Sequence, residues 1–460
     1  MRPLRRWLDD TAGGLPATFW YLWAGLLINR AGAFAMLFLP LYLTAARGAS
    51  EAVAGVVVGA YGAGGAAGVL LGGVLADRWG RRSTLLAAHL VTAALMVALA
   101  FSRHLVVIAV LAALVGVVHS MPSPAFVAAI VDVVPEQRRS RAFNLQFWAF
   151  NLGMAVASLL AGVLAEASFV ALFLVDAAAT LLAAAVIAWK VPETLPGRAG
   201  SARRAPIVDG FRSTRTETVH DPGHGAPATA AGRGRVGPDG GPVWPGRRSR
   251  RPGLRTALTD RIFLVFVGLT FVLAVLTLQT STIMPLAMRS DGLSPSAYGA
   301  VVALGGVLIV LGQLFVPRLI ERHRKDHVLA VSTGLLALGF GALAFADDLA
   351  VYLGAAVVWT VGSMLAAPPN AQINADLAPP DLRARYQSVF YLAFPAASFV
   401  APTLGGVSLQ YLGERHWLVV GGLGLLAAAG HLWAGPPRER RVAALRRATA
   451  ERPEPALTGG

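Results

Sequence analysis

Twelve apolar runs, each long enough to cross a bilayer and each bounded by short polar loops, limit the folds open to this chain. They lie at residues 17–44, 51–76, 83–102, 105–131, 142–165, 169–190, 261–288, 297–317, 327–345, 349–375, 385–410 and 416–434. Helices of this length, rising 1.5 Å per residue, span a hydrocarbon core of about 30 Å, some of them with tilt. Only 14% of the 460 residues are charged, where soluble domains carry roughly 25%. The chain therefore reads as an all-α, polytopic membrane protein. Several runs contain Gly or Pro, which transmembrane helices tolerate better than soluble ones. No cleavable signal is expected, because Arg2, Arg5 and Arg6 are not followed by a short apolar core with a small-residue cleavage site. Cysteine is absent, which excludes disulfides and cysteine metal sites. Lysine occurs only at Lys190 and Lys325, and with the Ala, Gly and Val richness this points to a high-GC bacterial genome.

Arginine placement predicts orientation. With the N-terminus in the cytoplasm, Arg78, Arg81, Arg82, Arg138, Arg139, Arg141, Arg318, Arg322, Arg324, Lys325, Arg383 and Arg385 all fall inside. The opposite short loops carry only Arg47, Arg103, Arg289 and Arg415. This positive-inside bias puts both termini in the cytoplasm of a bacterial cytoplasmic (inner) membrane. It also accounts for the net charge of +15, so no nucleic-acid partner is inferred.

Residues 191–260 differ in kind, being rich in Gly, Pro and Arg, with twelve bases against six acids and no sustained apolar period. They read as a disordered basic cytoplasmic linker that can lie against anionic headgroups. His220 and His224 within it lack companions for a metal site. The linker separates two repeats offset by 244 residues without gaps. Gly48, Ser50, Gly55, Val57 and Val58 fall on Gly292, Ser294, Gly299, Val301 and Val302. Pro124, Asp132, Pro135, Arg139, Arg141 and Gly162 fall on Pro368, Asp376, Pro379, Arg383, Arg385 and Gly406. The expected organisation is a six-helix bundle at 1–190, the linker at 191–260, a second bundle at 261–434 and a cytoplasmic tail at 435–460. Parallel repeats of this kind place a substrate site between the halves, near the bilayer midplane.

The loop between the second and third runs reads Gly73-Val74-Leu75-Ala76-Asp77-Arg78-Trp79-Gly80-Arg81-Arg82. Its two glycines permit close helix approach and a sharp turn, and Asp77 is placed to meet the positive end of the third helix. A glycine, three residues, an acid–base pair and a glycine followed by two bases resembles the signature loop of the major facilitator superfamily. The resemblance implies twelve helices in two pseudo-symmetric bundles and a loop that latches the halves in the outward-facing state. That role is carried to Gly73, Asp77, Arg78, Gly80, Arg81 and Arg82, with Asp132 as partner for a loop arginine. Topology alone also accounts for the loop's bases, and Asp132 also fits a solvated helix end. In the second copy, Glu321 and Arg322 keep the acid–base order while Pro317 and Arg324 replace the glycines.

The resemblance covers about 390 residues outside the linker. The segment Phe19-Trp20-Tyr21-Leu22-Trp23, the pair Asn29-Arg30 and Pro40-Leu41-Tyr42-Leu43-Thr44 look like the bacterial multidrug-efflux, drug/proton antiporter branch. Asn151 to Gly162 resembles the antiporter motif in blurred form, with a better copy at Ala401-Pro402-Thr403-Leu404-Gly405-Gly406. Small-residue helix packing accounts for both stretches equally well. Ala112 stands where that branch often carries an arginine in the fourth helix, so its usual proton relay does not transfer.

Intramembrane ionisable groups are costly and mark pairs or water-lined cavities. Arg30, Asp176 and His119 are the proton-coupling candidates, with a direct Arg30–Asp176 pair as one option and a hydrogen-bonded core histidine as the plainer reading of His119. Substrate-cavity candidates are Asn29, Gln279, Gln313, Asn370, Gln372, Asn374 and Tyr391. None of those in the second half is charged, which fits an apolar or weakly cationic ligand. The expected function is proton-coupled export of amphipathic small molecules by alternating access, with a metabolite importer or facilitator as the alternative. A transport-inactive scaffold and an enzyme fit less well, and no P-loop lysine motif is present. The expected partners are a small-molecule substrate, protons and the lipid bilayer; the expected state is a monomer without cofactor or metal.

Overall fold

The computed structural model describes residues 13–33, 35–194, 254–312, 315–379 and 382–450. Most of the linker therefore lies outside the described residues, as does Gln313. The elements are helical throughout, with no strand among the described residues. The first half contains α1 (Ala17–Gly32), α2 (Glu51–Trp79), α3 (Arg81–Phe101), α4 (Leu105–Ser120, continued by Pro122–Val133), α5 (Arg139–Ala167) and α6 (Phe169–Lys190). The second contains α7 (Arg261–Thr282, continued by Met284–Ser290), α8 (Pro295–Gly312), α9 (Lys325–Ala342), α10 (Leu349–Leu377), α11 (Arg383–Tyr391, continued by Ala393–Leu412) and α12 (Arg415–Trp433). A further helix, α13 (Gly435–Ala450), follows. Among the described residues, eleven helices are long and apolar enough to cross a membrane.

The first crossing departs from the continuous span expected at 17–44. Helix α1 stops at Gly32, and helical structure resumes only at Leu39–Leu41 and Tyr42–Ala46. Pro40 stands in the first turn of the short helix that follows, where its missing N–H leaves no intrahelical bond unmade. In the second half, Pro285 sits just past a smaller interruption at Ile283.

Each bundle is drawn together by glycines that let backbones touch. On α2, a Cβ at Gly64, Gly68 or Gly72 would meet the carbonyl oxygen of Ala113, Val117 or Met121 on α4. Outward-facing residues are large and apolar, among them Leu70, Val106, Leu404 and Leu426. Exposed Trp79, Trp189 and Trp433 cluster toward the end that carries the signature loop, and Phe101, Phe345 and Tyr411 toward the opposite end. Such aromatic girdles mark the two membrane–water interfaces.

The halves meet along α2–α11 and α5–α8, at the end opposite the signature loop. A Cβ at Gly55 would strike the Pro402 carbonyl, and one at Gly299 would strike the Ser158 carbonyl. These two contacts are related by the 244-residue repeat, as are the partners Gly162 and Gly406 within them. The two stretches that resemble the antiporter motif are thus the small-residue stripes on which the halves pack. Phe38 and Tyr298 add an edge-on aromatic contact across the same interface, with ring centroids 5.1 Å apart.

Residues 435–450, expected only as tail, form a helix bound to the second half. Arg441 pairs with Asp260 at 2.6 Å, Glu439 with Arg324 at 3.1 Å and Arg446 with Asp376 at 3.4 Å.

Gly68→Val should lower the unfolding temperature of the detergent-solubilised protein or abolish its monodisperse yield. The added branch must displace backbone, and overpacking of this kind costs about 1–3 kcal/mol or more. Gly354→Val, where a Cβ meets nothing within 4 Å, should leave the melting curve close to that of the parent.

Candidate functional site

The interior of the first half holds polar side chains from five helices. Helix α1 supplies Asn29 and Arg30, α2 supplies Tyr61, α3 supplies His89, α4 supplies His119, and α6 supplies Asp176 and Thr180. Asp176 is 3% exposed, yet its carboxylate has partners. One oxygen accepts the Ala35 N–H at 3.1 Å, and the other accepts the Thr180 hydroxyl at 3.4 Å. Asn29 donates to Thr180 at 3.3 Å. Ala35 lies in the break after α1, so its N–H has no helical acceptor. Asp176 therefore closes the hydrogen-bonding gap that the break opens, in a setting where no water would otherwise do so.

Arg30 does not form the direct pair with Asp176 allowed for above. It lies near Tyr61 and Asp176, but among the described residues it has no ion-pair partner within 4.0 Å. Its guanidinium lies over the Phe150 ring, 4.7 Å from the centroid, and its Nε is buried without a partner. Backbone approach of α1 to α5 at Gly153 sets this position, where a Cβ would meet the Arg30 side chain. The Tyr61 hydroxyl and His119 Nδ1 are 2.8 Å apart, which makes His119 a hydrogen-bonded interior histidine. His89, which sequence reasoning passed over, is buried with Nδ1 2.6 Å from the Leu85 carbonyl. Its signal was a histidine in the middle of the third apolar run.

The second half is polar without charge at the corresponding depth. Asn370 accepts the Thr270 hydroxyl at 3.0 Å. Gln279 and Asn374 are buried, each with a side-chain oxygen lacking a partner. Gln372 is exposed, and so is Tyr391, which packs beside Phe390 and Phe394.

In the signature loop, Gly80 has φ +106° and faces the Glu193 carboxylate, so a side chain fits neither the backbone nor the space. Gly73 faces open space. Arg81 is the hub, pairing with Asp132 at 3.2 Å and with Asp77 at 3.3 Å. Its backbone N–H donates to Glu193 at 2.8 Å. Asp132 also accepts the Thr194 hydroxyl at 3.2 Å. Arg82 donates to the Ala188 carbonyl at 2.6 Å, while Arg78 is exposed.

The second half repeats the hub a few residues beyond Glu321 and Arg322, which the 244-residue offset places on Asp77 and Arg78. Lys325 pairs with Asp376 at 2.7 Å, and these are Arg81 and Asp132 shifted by 244 residues. Glu321 and Arg322 lie in a turn outside that pair. The offset was the available signal, since it maps Arg81 onto one of only two lysines in the chain. Each of these pairs lies within its own half, and among the described residues the large helix–helix contacts between the halves are α2–α11 and α5–α8.

A family model described as Major Facilitator Superfamily matches residues 22–287 and 269–458. The MFS-type transporter YttB of Bacillus subtilis is 27% identical over 405 residues, covering 87% of this chain and 90% of that one. The multidrug resistance protein MdtH of Klebsiella pneumoniae is 22% identical over 378 residues, covering 80% of this chain and 82% of that one. Among solved structures, the peptide transporter POT in complex with sulfate superposes with a TM-score of 0.72 at 16% identity, covering 94% and 99% of the two chains. At that identity the superposition speaks for the fold alone.

Asp176→Ala should destabilise the protein by about 1–3 kcal/mol by stranding the Ala35 N–H, and Asp176→Asn by less because the amide oxygen still accepts. The double change Arg30→Ala with Asp176→Ala should not recover the loss, measured by thermal unfolding in micelles. Recovery is the signature of an ion pair, which the geometry does not contain.

Proposed function

This chain belongs to the major facilitator superfamily, and from that premise we propose that it is a proton-coupled exporter of amphipathic small molecules working by alternating access. The observation that carries the coupling is Asp176, an intramembrane carboxylate that accepts the Ala35 N–H at the break in α1. A carboxylate is a better acceptor than its neutral acid. A proton taken up at Asp176 weakens the bond that holds the break, so protonation and the shape of α1 are linked. Arg30, Tyr61, His119 and His89 are the neighbouring ionisable groups through which a proton could be passed.

The halves are packed at one end and paired only within themselves at the other, as alternating access requires of one of its end states. The arginine bias puts the signature loop in the cytoplasm, so this state faces inward. In the opposite state the loop ends approach, and Gly73, Asp77, Arg78, Gly80, Arg81, Arg82 and Asp132 form the latch on the first half. Lys325 and Asp376 provide the matching pair on the second. Asn29, Gln279, Asn370, Gln372, Asn374 and Tyr391 are the described candidates for ligand contact. Their neutral polarity suits amphipathic ligands, and the likeness to MdtH supports an efflux role.

A second reading, a carrier for small monoanionic metabolites, is favoured by Arg30. A buried guanidinium without a carboxylate partner is an electrostatic cost that an anionic ligand would offset.

Proteoliposomes test both. A pH gradient should drive accumulation of the lipophilic cation tetraphenylphosphonium, and a protonophore should abolish it. Asp176→Asn should lose accumulation and keep exchange, while Asp77→Asn should slow both with insertion intact. Transport indifferent to the gradient sinks the coupling, and movement of benzoate in place of the cation favours the second reading.

A further inference from the structure

At the packed end, among the described residues, two backbone N–H groups donate to a side chain of the opposite half, and Glu166 also bonds the Ser294 and Ser296 hydroxyls. Glu166, at the end of α5, accepts the Ser296 N–H near the start of α8 at 3.2 Å. Gln410, at the end of α11, accepts the Ala52 N–H near the start of α2 at 3.1 Å. Shifted by 244 residues, Glu166 falls on Gln410 and Ala52 falls on Ser296, so one contact is the repeat image of the other.

The first N–H groups of any helix have no acceptor within it. Here each helix meets one of them from its own half. Ser50 accepts from Val53, and Ser294 accepts from Ala297. The preceding N–H, that of Ala52 or Ser296, is met from the opposite half. Both helix starts are therefore completed only while the halves touch. When they part, water replaces the lost acceptors, which keeps the barrier to opening low.

We infer that Glu166 and Gln410 are paired gate residues of the transport cycle, each holding the outer end closed by capping a helix of the other half. Calling that end the outer one rests on the proposed topology; the capping itself does not. The two caps differ in strength. Glu166 is charged and adds attraction to the positive end of α8, whereas Gln410 offers a neutral amide oxygen. Of the charged groups around them, Arg289 lines a cavity of about 360 Å³ together with Glu166. Arg289 also lies near Glu51, the neighbour of Ala52.

The absence of native cysteine allows single-cysteine reporters. Ser158 is 0% exposed between α5 and α8, so Ser158→Cys reports opening of the packed end. Val69 continues the Gly55–Gly59–Gly62 face of α2 toward the signature loop and is 46% exposed, so Val69→Cys reports closing of the loop end. Alkylation by N-ethylmaleimide is measured on purified protein in micelles, where both ends are accessible. A failure there counts against the caps and not against the topology or the direction of transport. Glu166→Ala and Gln410→Ala should each speed labelling of Ser158→Cys by about fivefold, as expected for loss of one helix cap. The double variant should speed it further, and labelling of Val69→Cys should slow. Glu166→Gln should lie between the parent and Glu166→Ala, because the amide oxygen still accepts while the charge attraction is lost. Unchanged labelling of Ser158→Cys in the double variant overturns the inference. So does faster labelling of both reporters together, which signals loosening of the fold in place of a shift between states.

Discussion

A backbone N–H without an acceptor costs several kcal/mol in hydrocarbon, and this chain interrupts or starts its helices at several points inside or close to the bilayer. What covers those N–H groups decides where its polar side chains sit. The break after α1 is covered by Asp176 from α6. The starts of α2 and α8 are covered partly by their own serines and partly by Gln410 and Glu166 from the opposite half. A carboxylate or an amide in such a place is an integral part of the helix end, and changing its protonation or its position changes the helix. Function and fold share the same hydrogen bonds here.

The second theme is symmetry with a deliberate exception. The repeat reproduces the glycine contacts of Gly55 and Gly299, the ion pairs Arg81–Asp132 and Lys325–Asp376, and the helix caps at the packed end. On the proposed alternating-access function, equivalent contacts on both sides of the pseudo-axis would let the halves rock against each other. The interior breaks the rule. Arg30 and Asp176 map onto Ala274 and Val420, so at those positions the second half carries no charge, and its described cavity candidates include neutral Gln279, Asn370 and Asn374. On the proposed function, this asymmetry would separate proton chemistry from ligand contact in space.

The candidate site was legible in its membership more than in its pairing. Arg30, Asp176 and His119 stand out in the sequence because ionisable residues are rare within apolar runs. Their partners do not: Asp176 binds a backbone amide 141 residues away, and Arg30 lies against Phe150. Neither contact has a sequence signature, since any amide freed by a helix break and any aromatic ring at the right depth would serve. The second-half hub follows the same pattern: the 244-residue offset places Glu321 and Arg322 on Asp77 and Arg78 and Lys325 on Arg81, and only the structure shows Lys325 pairing with Asp376.

By itself the sequence determined the number and placement of the crossings, the signature loop and the repeat. These depend on hydropathy over about twenty residues and on backbone bonds made within each helix, both of which are local. The arginine bias, local in the same way, supplies the orientation on which the proposed topology rests. The tertiary structure alone decided where α1 stops, which side chain from another helix closes each open helix end, and at which end the halves meet. Those outcomes depend on the approach of segments more than a hundred residues apart, set by glycine contacts and packing that no window of sequence contains.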